Sequence, residues 1–135
     1  AHAVRGTDGA AWARAFYTDI KKTPNTPIER YTIFNKGEDK SREEYSAARA
    51  KNDAFGPLID NLEKHVTVVG AATEYCVLET VKELLGEGFF VTVPESCLAF
   101  TEESGHARGL REMEACGAVV IKDARQKQAR EEQGE

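Results

Sequence analysis

Apolar and polar positions along this chain follow two periods. Four short runs are nearly continuous in apolar or β-branched residues: YTIF at 31–34, VTVV at 66–69, FFVTV at 89–93 and AVVI at 118–121. Turn residues close the first three, Asn35–Lys36–Gly37, Gly70 and Pro94, and each run predicts a strand. Between them the apolar positions recur at helical spacing. Trp12, Ala15, Phe16 and Ile20 predict a short amphipathic helix over 12–22. Ser41 followed by Glu44 has the spacing of a capping box and predicts a short helix there. Residues 52–64 read as a further helical stretch, with Gly56 and Pro57 at or near its start. Val77, Leu78, Val81, Leu84 and Leu85 form the inward stripe of a helix that Gly86 and Gly88 end. Residues 107–115 form another, with Leu110 and Met113 inward and Gly117 at its end. Residues 1–11, 22–27 and 95–104 read as loops, and the chain beyond Lys122 is polar and expected to fray.

The order is β-α-β-α-β-α-β with short connections. That alternation predicts an α/β fold, a three-layer α/β/α arrangement with a parallel sheet, helices on both faces and right-handed crossovers. The apolar strands fit burial on both faces. Ligands of open parallel sheets bind beyond the carboxyl ends of the strands. Lys36 and Cys76 both lie just past such ends, so both are expected to face one cleft. Residues 1–122 read as a single domain and 123–135 as a polar tail.

Composition narrows the function classes. The chain has 135 residues and a formal net charge of −5, with acidic and basic residues interspersed. The one dense charge run, the C-terminal KDARQKQAREEQGE, mixes signs, which argues against nucleic-acid and membrane partners. Three cysteines, Cys76, Cys97 and Cys116, are far apart and odd in number. No CxxC occurs, so neither a zinc knuckle nor a disulfide framework is suggested, and a reducing, cytoplasmic setting fits best. No apolar run approaches the length of a membrane span, and no signal peptide is visible. The chain begins at Ala1 without an initiator Met, so it reads as a fragment or a processed product.

The candidate chemistry lies in Val66–Thr80, VTVVGAATEYCVLET. It reads as a buried strand, a tight turn at Gly70, and a helix with Cys76 in its first turn. A helix N-terminus presents unpaired N–H groups and about half a positive charge, which stabilises a thiolate there. The same N–H groups can hold the oxyanion formed when sulfur attacks a carbonyl. The other reading of Cys76 is a small buried hydrophobe.

GAATEYCV followed by a helix and FFVTVPES resembles the cysteine-hydrolase motif of the isochorismatase-like superfamily, and within it the nicotinamidases. Three further stretches carry the resemblance: His2-Ala3-Val4-Arg5-Gly6-Thr7-Asp8-Gly9, Asn35-Lys36-Gly37 and Arg42-Glu43-Glu44-Tyr45-Ser46-Ala47. The EYCV and REEYSA versions look closer to the fungal branch than to the bacterial one. The resemblance implies hydrolysis of nicotinamide to nicotinate and ammonia through a cysteine thioester, in NAD salvage. It makes Cys76 the nucleophile and Lys36 the triad lysine. It puts a cis peptide at Ala71-Ala72, with the N–H groups of Ala72 and Cys76 as oxyanion hole. It places Tyr45 and Ala71 along the substrate pocket, and His2 in a divalent metal site. Zinc is the first expectation there, with manganese or iron as the other candidates. The implied partner is a small amide substrate, and a homo-oligomer stays open.

The family's triad begins with an Asp upstream of the His loop, as do further metal ligands. This chain starts without them, so an N-terminally truncated domain lacking its first strands is expected, weakly active or inactive alone. Ala3 and Ala48 also depart from the family's usual residues. Asp8, Asp39 and Glu74 are nearby carboxylates, and Glu74 reads as a structural hydrogen-bonding group rather than the missing base. His65 and His106 read as solvated, Cys97 and Cys116 as small core or loop residues, and Trp12, Tyr31 and Phe34 as packing residues. The alternatives to a nicotinamidase are another isochorismatase-like cysteine amidohydrolase, an isochorismatase-like ether hydrolase, or a non-catalytic chain that keeps the fold.

Overall fold

A computed structural model of the chain describes residues 33–122, apart from residues 40 and 42. The chain divides into two compact units, Ala1–Phe34 and Asn35–Glu135, and all but two of the described residues belong to the second. The expected helix over 12–22, most of the strand over 31–34, Trp12, His2, Asp8 and the tail 123–135 lie outside the described residues.

The described chain opens with a hairpin, β1 (Lys51–Asn52) antiparallel to β2 (Gly56–Pro57). A 3₁₀ turn over Leu58–Asn61 leads to β3 (His65–Thr67), and β4 (Gly70–Ala71) follows shortly after. A π-helical turn, Thr73–Val77, runs into helix α1 (Leu78–Gly86). Then come β5 (Phe90–Pro94), β6 (Leu98–Ala99), helix α2 (Glu103–Cys116) and β7 (Val119–Ile121). β3, β5 and β7 form a parallel sheet in that order, with Val66 opposite Val91 and Val93 opposite Val120. Val68 N–H extends the first ladder by donating to Thr92 O at 3.0 Å. β4 pairs in parallel with β6. This is the α/β fold with a parallel sheet that the alternating pattern predicts.

The two main helices form where their apolar stripes require. Val77, Leu78, Val81 and Leu84 are buried on the first, and Leu110 and Met113 on the second. They pack with Val91 and Val93 of β5 into one cluster. Val81, Leu84, Val93 and Met113 are at most 2% exposed, and each such side chain contributes about 1.5–3 kcal/mol of apolar burial. α2 ends in a Schellman-type close: Gly117 has φ +112°, and Ala118 N–H donates to Met113 O at 3.0 Å.

Several expectations are corrected. Ser41 and Glu44 open no helix: Ser41 N–H and Oγ–H both donate to Asp39 Oδ1, and Glu44 Oε2 accepts from Gly37 N–H at 2.9 Å. With both side chains committed elsewhere, residues 43–47 are irregular. The stretch 52–64 is not a helix but the β1–β2 hairpin and a 3₁₀ turn. Asn52 Oδ1 accepts from Ala54 N–H and Phe55 N–H, and Gly56 takes φ +73°, so local side-chain bonding wins over helical periodicity. Ile33 and Phe34 form no strand, and Asn35 makes an isolated bridge to Lys51. Residues 95–104 contain a 3₁₀ turn and β6, and α2 begins at Glu103, a turn earlier than its apolar positions mark. The strands are not buried on both faces. Val91 and Val93 are inside, whereas Phe90 is 57% exposed, Val119 62% and Ile121 53%. Successive strand residues point to opposite faces, and among the described residues the helices cover one of them.

Candidate active site

The site is built on the link between β4 and α1. The Ala71–Ala72 peptide is cis. Ala72 O then accepts from both Tyr75 N–H and Val77 N–H, each at 3.1 Å, which closes the wide π turn that carries Cys76. Cys76 therefore sits one turn ahead of α1 proper and is partly exposed. π-helical turns inside helices occur often at functional sites. The turn lies hard against α2: a Cβ at Gly109 would stand 3.3 Å from Thr73 O, and one at Gly105 would stand 2.5 Å from Glu74 Oε2.

Lys36 reaches the cysteine from a loop 40 residues earlier. Its Nζ donates to Cys76 Sγ at 3.1 Å, to Tyr45 O at 2.9 Å and to Glu44 O at 3.0 Å. An ammonium has three protons, so all three are engaged and the charge is held beside the sulfur. Among the described residues Lys36 is the one side chain that hydrogen-bonds Sγ. A cationic donor so placed can stabilise negative charge on the sulfur by a charge-assisted hydrogen bond.

The Lys36-binding segment is itself tied to α1. Ala47 N–H donates to Thr80 Oγ1 at 2.8 Å, and the Thr80 hydroxyl donates to Cys76 O at 2.7 Å. Ser46 Oγ–H donates to Glu83 Oε1 at 2.7 Å, and Arg49 forms ion pairs with Glu83 and Glu87. The rings of Tyr45 and Tyr75 stack with centroids 6.4 Å apart, both about half exposed.

Glu74 is indeed a structural group. Its carboxylate accepts from Thr101 N–H at 2.9 Å and Glu102 N–H at 3.2 Å, at the head of α2. The Thr101 bond, followed by the Glu102 bond and opposed by partial desolvation, holds its carboxyl below the ordinary carboxylate range. Asp39 is engaged with Ser41. His106 is not solvated, contrary to expectation. Its side chain is 12% exposed, Nδ1 lies 2.8 Å from Thr73 Oγ1, and Nε2 lies 3.8 Å from Oε1 of the buried Glu95. His65 is exposed and stacks on Phe90. Cys97 and Cys116 are exposed, not core residues.

The structure thus brings Lys36, Cys76, Tyr45, Ala71 and Ala72 together, while His2 lies outside the described residues. Sequence reasoning missed Tyr75, Thr80 and His106. Thr80 was within reach of it, since a residue four positions after Cys76 shares its helical face. His106 was not, because only tertiary packing brings α2 under the cysteine turn. Among the described residues no group of three His, Cys, Asp or Glu side chains can hold a metal ion. Among them, too, no helix is long and apolar enough to cross a membrane.

The profile of the Isochorismatase domain matches residues 8–125. Among solved structures the chain is similar to the pyrazinamidase of Pyrococcus horikoshii in complex with zinc, at 26% identity and a TM-score of 0.68, over 91% of this chain and 62% of that one. It is similar to a nicotinamidase from Staphylococcus aureus at 25% identity and a TM-score of 0.51, over 62% of this chain and 52% of that one. It shares its fold with a nicotinamidase from Bacillus subtilis, at 21% identity and a TM-score of 0.61, over 90% of this chain and 62% of that one. The chain therefore spans less than two thirds of the length of each. No curated protein matches. With the family profile spanning most of its length, the chain belongs to the isochorismatase family.

Proposed function

We propose that the protein is a cysteine amidohydrolase of nicotinamidase type, with Cys76 as nucleophile. The observation that carries the reading is the Lys36 ammonium donating to the Cys76 sulfur at 3.1 Å from a segment far away in sequence. In this reading Sγ attacks the amide carbon. The N–H groups of Ala72 and Cys76 receive the oxyanion. Ammonia leaves with the proton that the Cys76 thiol gives up, and a thioester remains. Water then cleaves the thioester to nicotinate and restores the thiol, so one difficult step becomes two easier ones.

Tyr45 and Ala71 line the place of the substrate ring, and the exposed face of Tyr75 beside Tyr45 suits a planar aromatic amide. Support for nicotinamide as substrate comes from the likeness to the pyrazinamidase and the Staphylococcus nicotinamidase. The cofactor in this reading is a divalent cation, zinc by the precedent of the Pyrococcus structure, with His2 as one ligand. Among the described residues no group of side chains fits a metal. In this reading residues 1–122 form one domain, and a family match that reaches into both compact units supports it. A cytoplasmic role in NAD salvage completes the reading.

The test is acid quenching during incubation with nicotinamide, followed by mass spectrometry of the Cys76 peptide. A nicotinoyl adduct on Cys76 that hydroxylamine removes is expected. A folded protein that gains no adduct, or gains it at Cys97 or Cys116, overturns the assignment.

A further inference from the structure

The hydrogen bonds around the cysteine close into a ring. Starting at Cys76, Sγ accepts from Lys36 Nζ at 3.1 Å, and the same Nζ donates to Tyr45 O at 2.9 Å. Two residues later Ala47 N–H donates to Thr80 Oγ1 at 2.8 Å, and the Thr80 hydroxyl returns to Cys76 O at 2.7 Å. Thr80 is 8% exposed. A helical threonine bonding the carbonyl four residues back is ordinary. What that habit does not explain is the second bond, which leaves the helix for the backbone of the segment that binds Lys36. A hydroxyl has one proton and two lone pairs, and here the proton goes to the cysteine's carbonyl while a lone pair receives Ala47 N–H.

We propose that Thr80 is a positioning residue that fixes the Lys36-binding segment to the cysteine turn and so holds the ammonium against the Cys76 sulfur. The proposal rests on the reading of Cys76 as nucleophile. The segment 44–47 is gripped from two sides, by the ammonium through the Glu44 and Tyr45 carbonyls and by α1 through Thr80 and Glu83. Freed from α1, those carbonyls no longer fix where the ammonium sits. Ser46 and Glu83 make the second tether, but the Thr80 bond is the one that also touches the cysteine's own backbone.

The test is a double-mutant cycle on the full chain. The rate of Cys76 alkylation by iodoacetamide at neutral pH is followed by peptide mass spectrometry, because Cys97 and Cys116 are also exposed thiols. Thr80→Val keeps the shape and deletes both bonds, and is expected to slow alkylation about tenfold, the range of a lost hydrogen bond with its partner left unpaired. In a Lys36→Met background the same change is expected to add little, since both act on one contact. Thr80→Ser keeps the hydroxyl and is expected to restore the rate. Circular dichroism confirms folding, and Thr80→Ala replaces the valine variant if that one does not fold. Wild-type alkylation in a folded Thr80→Val protein, or losses that add in the double variant, overturns the proposal. Nicotinamide turnover separates the two claims. Cys76-dependent turnover that Thr80→Val leaves intact removes the role of Thr80 alone, whereas a coupled alkylation cycle without nicotinamide turnover keeps it and removes the substrate.

Discussion

Lys36 Nζ stands 3.1 Å from Cys76 Sγ, joining a loop to a helix-forming turn across 40 residues of chain. No local sequence preference makes such a contact. It exists because the loop after the Asn35–Lys51 bridge runs past the cysteine turn, and because two backbone carbonyls hold the ammonium there. Lys36→Met is therefore expected to slow alkylation of Cys76 at neutral pH by about tenfold or more, as a hydrogen bond to a charged group contributes about 1.5–3 kcal/mol. Alkylation of the exposed Cys97 and Cys116 in the same samples is the internal control and is expected not to change.

The cysteine turn and α2 touch through glycine. A Cβ at Gly105 would meet the Glu74 carboxylate at 2.5 Å. Alanine there gains about 1 kcal/mol of helix propensity and still loses overall, because overpacking costs about 1–3 kcal/mol and displaces the group that caps the helix. Thermal unfolding of Gly105→Ala should show a lower midpoint, while a rise would mean that Glu74 moves aside freely.

Glu74 also makes stability depend on acid. Its carboxyl is held below the ordinary range chiefly by the Thr101 N–H, so the folded state binds its proton less readily than the unfolded state. The contribution is full above the unfolded value and disappears as pH falls through the folded one. Denaturant unfolding should find Glu74→Gln less stable than wild type at neutral pH, with the gap shrinking below about pH 4. A gap that stays constant through acid contradicts this.

Met113 and Leu84 sit at the centre of the packing between the helices and β5, at 0% and 2% exposure. Truncating either to alanine is expected to cost about 2–5 kcal/mol in urea unfolding with the slope unchanged.

What was legible in the sequence follows from locality. The stripes of α1 and α2 and the strands β3, β5 and β7 are carried by residues whose own spacing decides their structure. The region from Ser41 to Lys64 was misread because single side chains decide it: Asn52 folds the chain back on itself, and Glu44 bonds Gly37 instead of capping a helix. The apolar run at 118–121 suggested burial on both sides, yet Val119 and Ile121 are exposed, since apolar character alone does not say what covers a face. In the site, Lys36 and Cys76 were visible through a family resemblance, although among the described residues no strand leads into Lys36. His106 and Glu95 were not, because their meeting with Thr73 depends on how α2 lies beneath the turn.

The most direct test of the central claim is ammonia release from nicotinamide, measured with the wild-type chain and with Cys76→Ala. The account predicts that all ammonia released by the wild-type chain appears in step with nicotinate, and that none is released by the variant. Release from Cys76→Ala that matches the wild-type rate, or ammonia released without nicotinate, contradicts it.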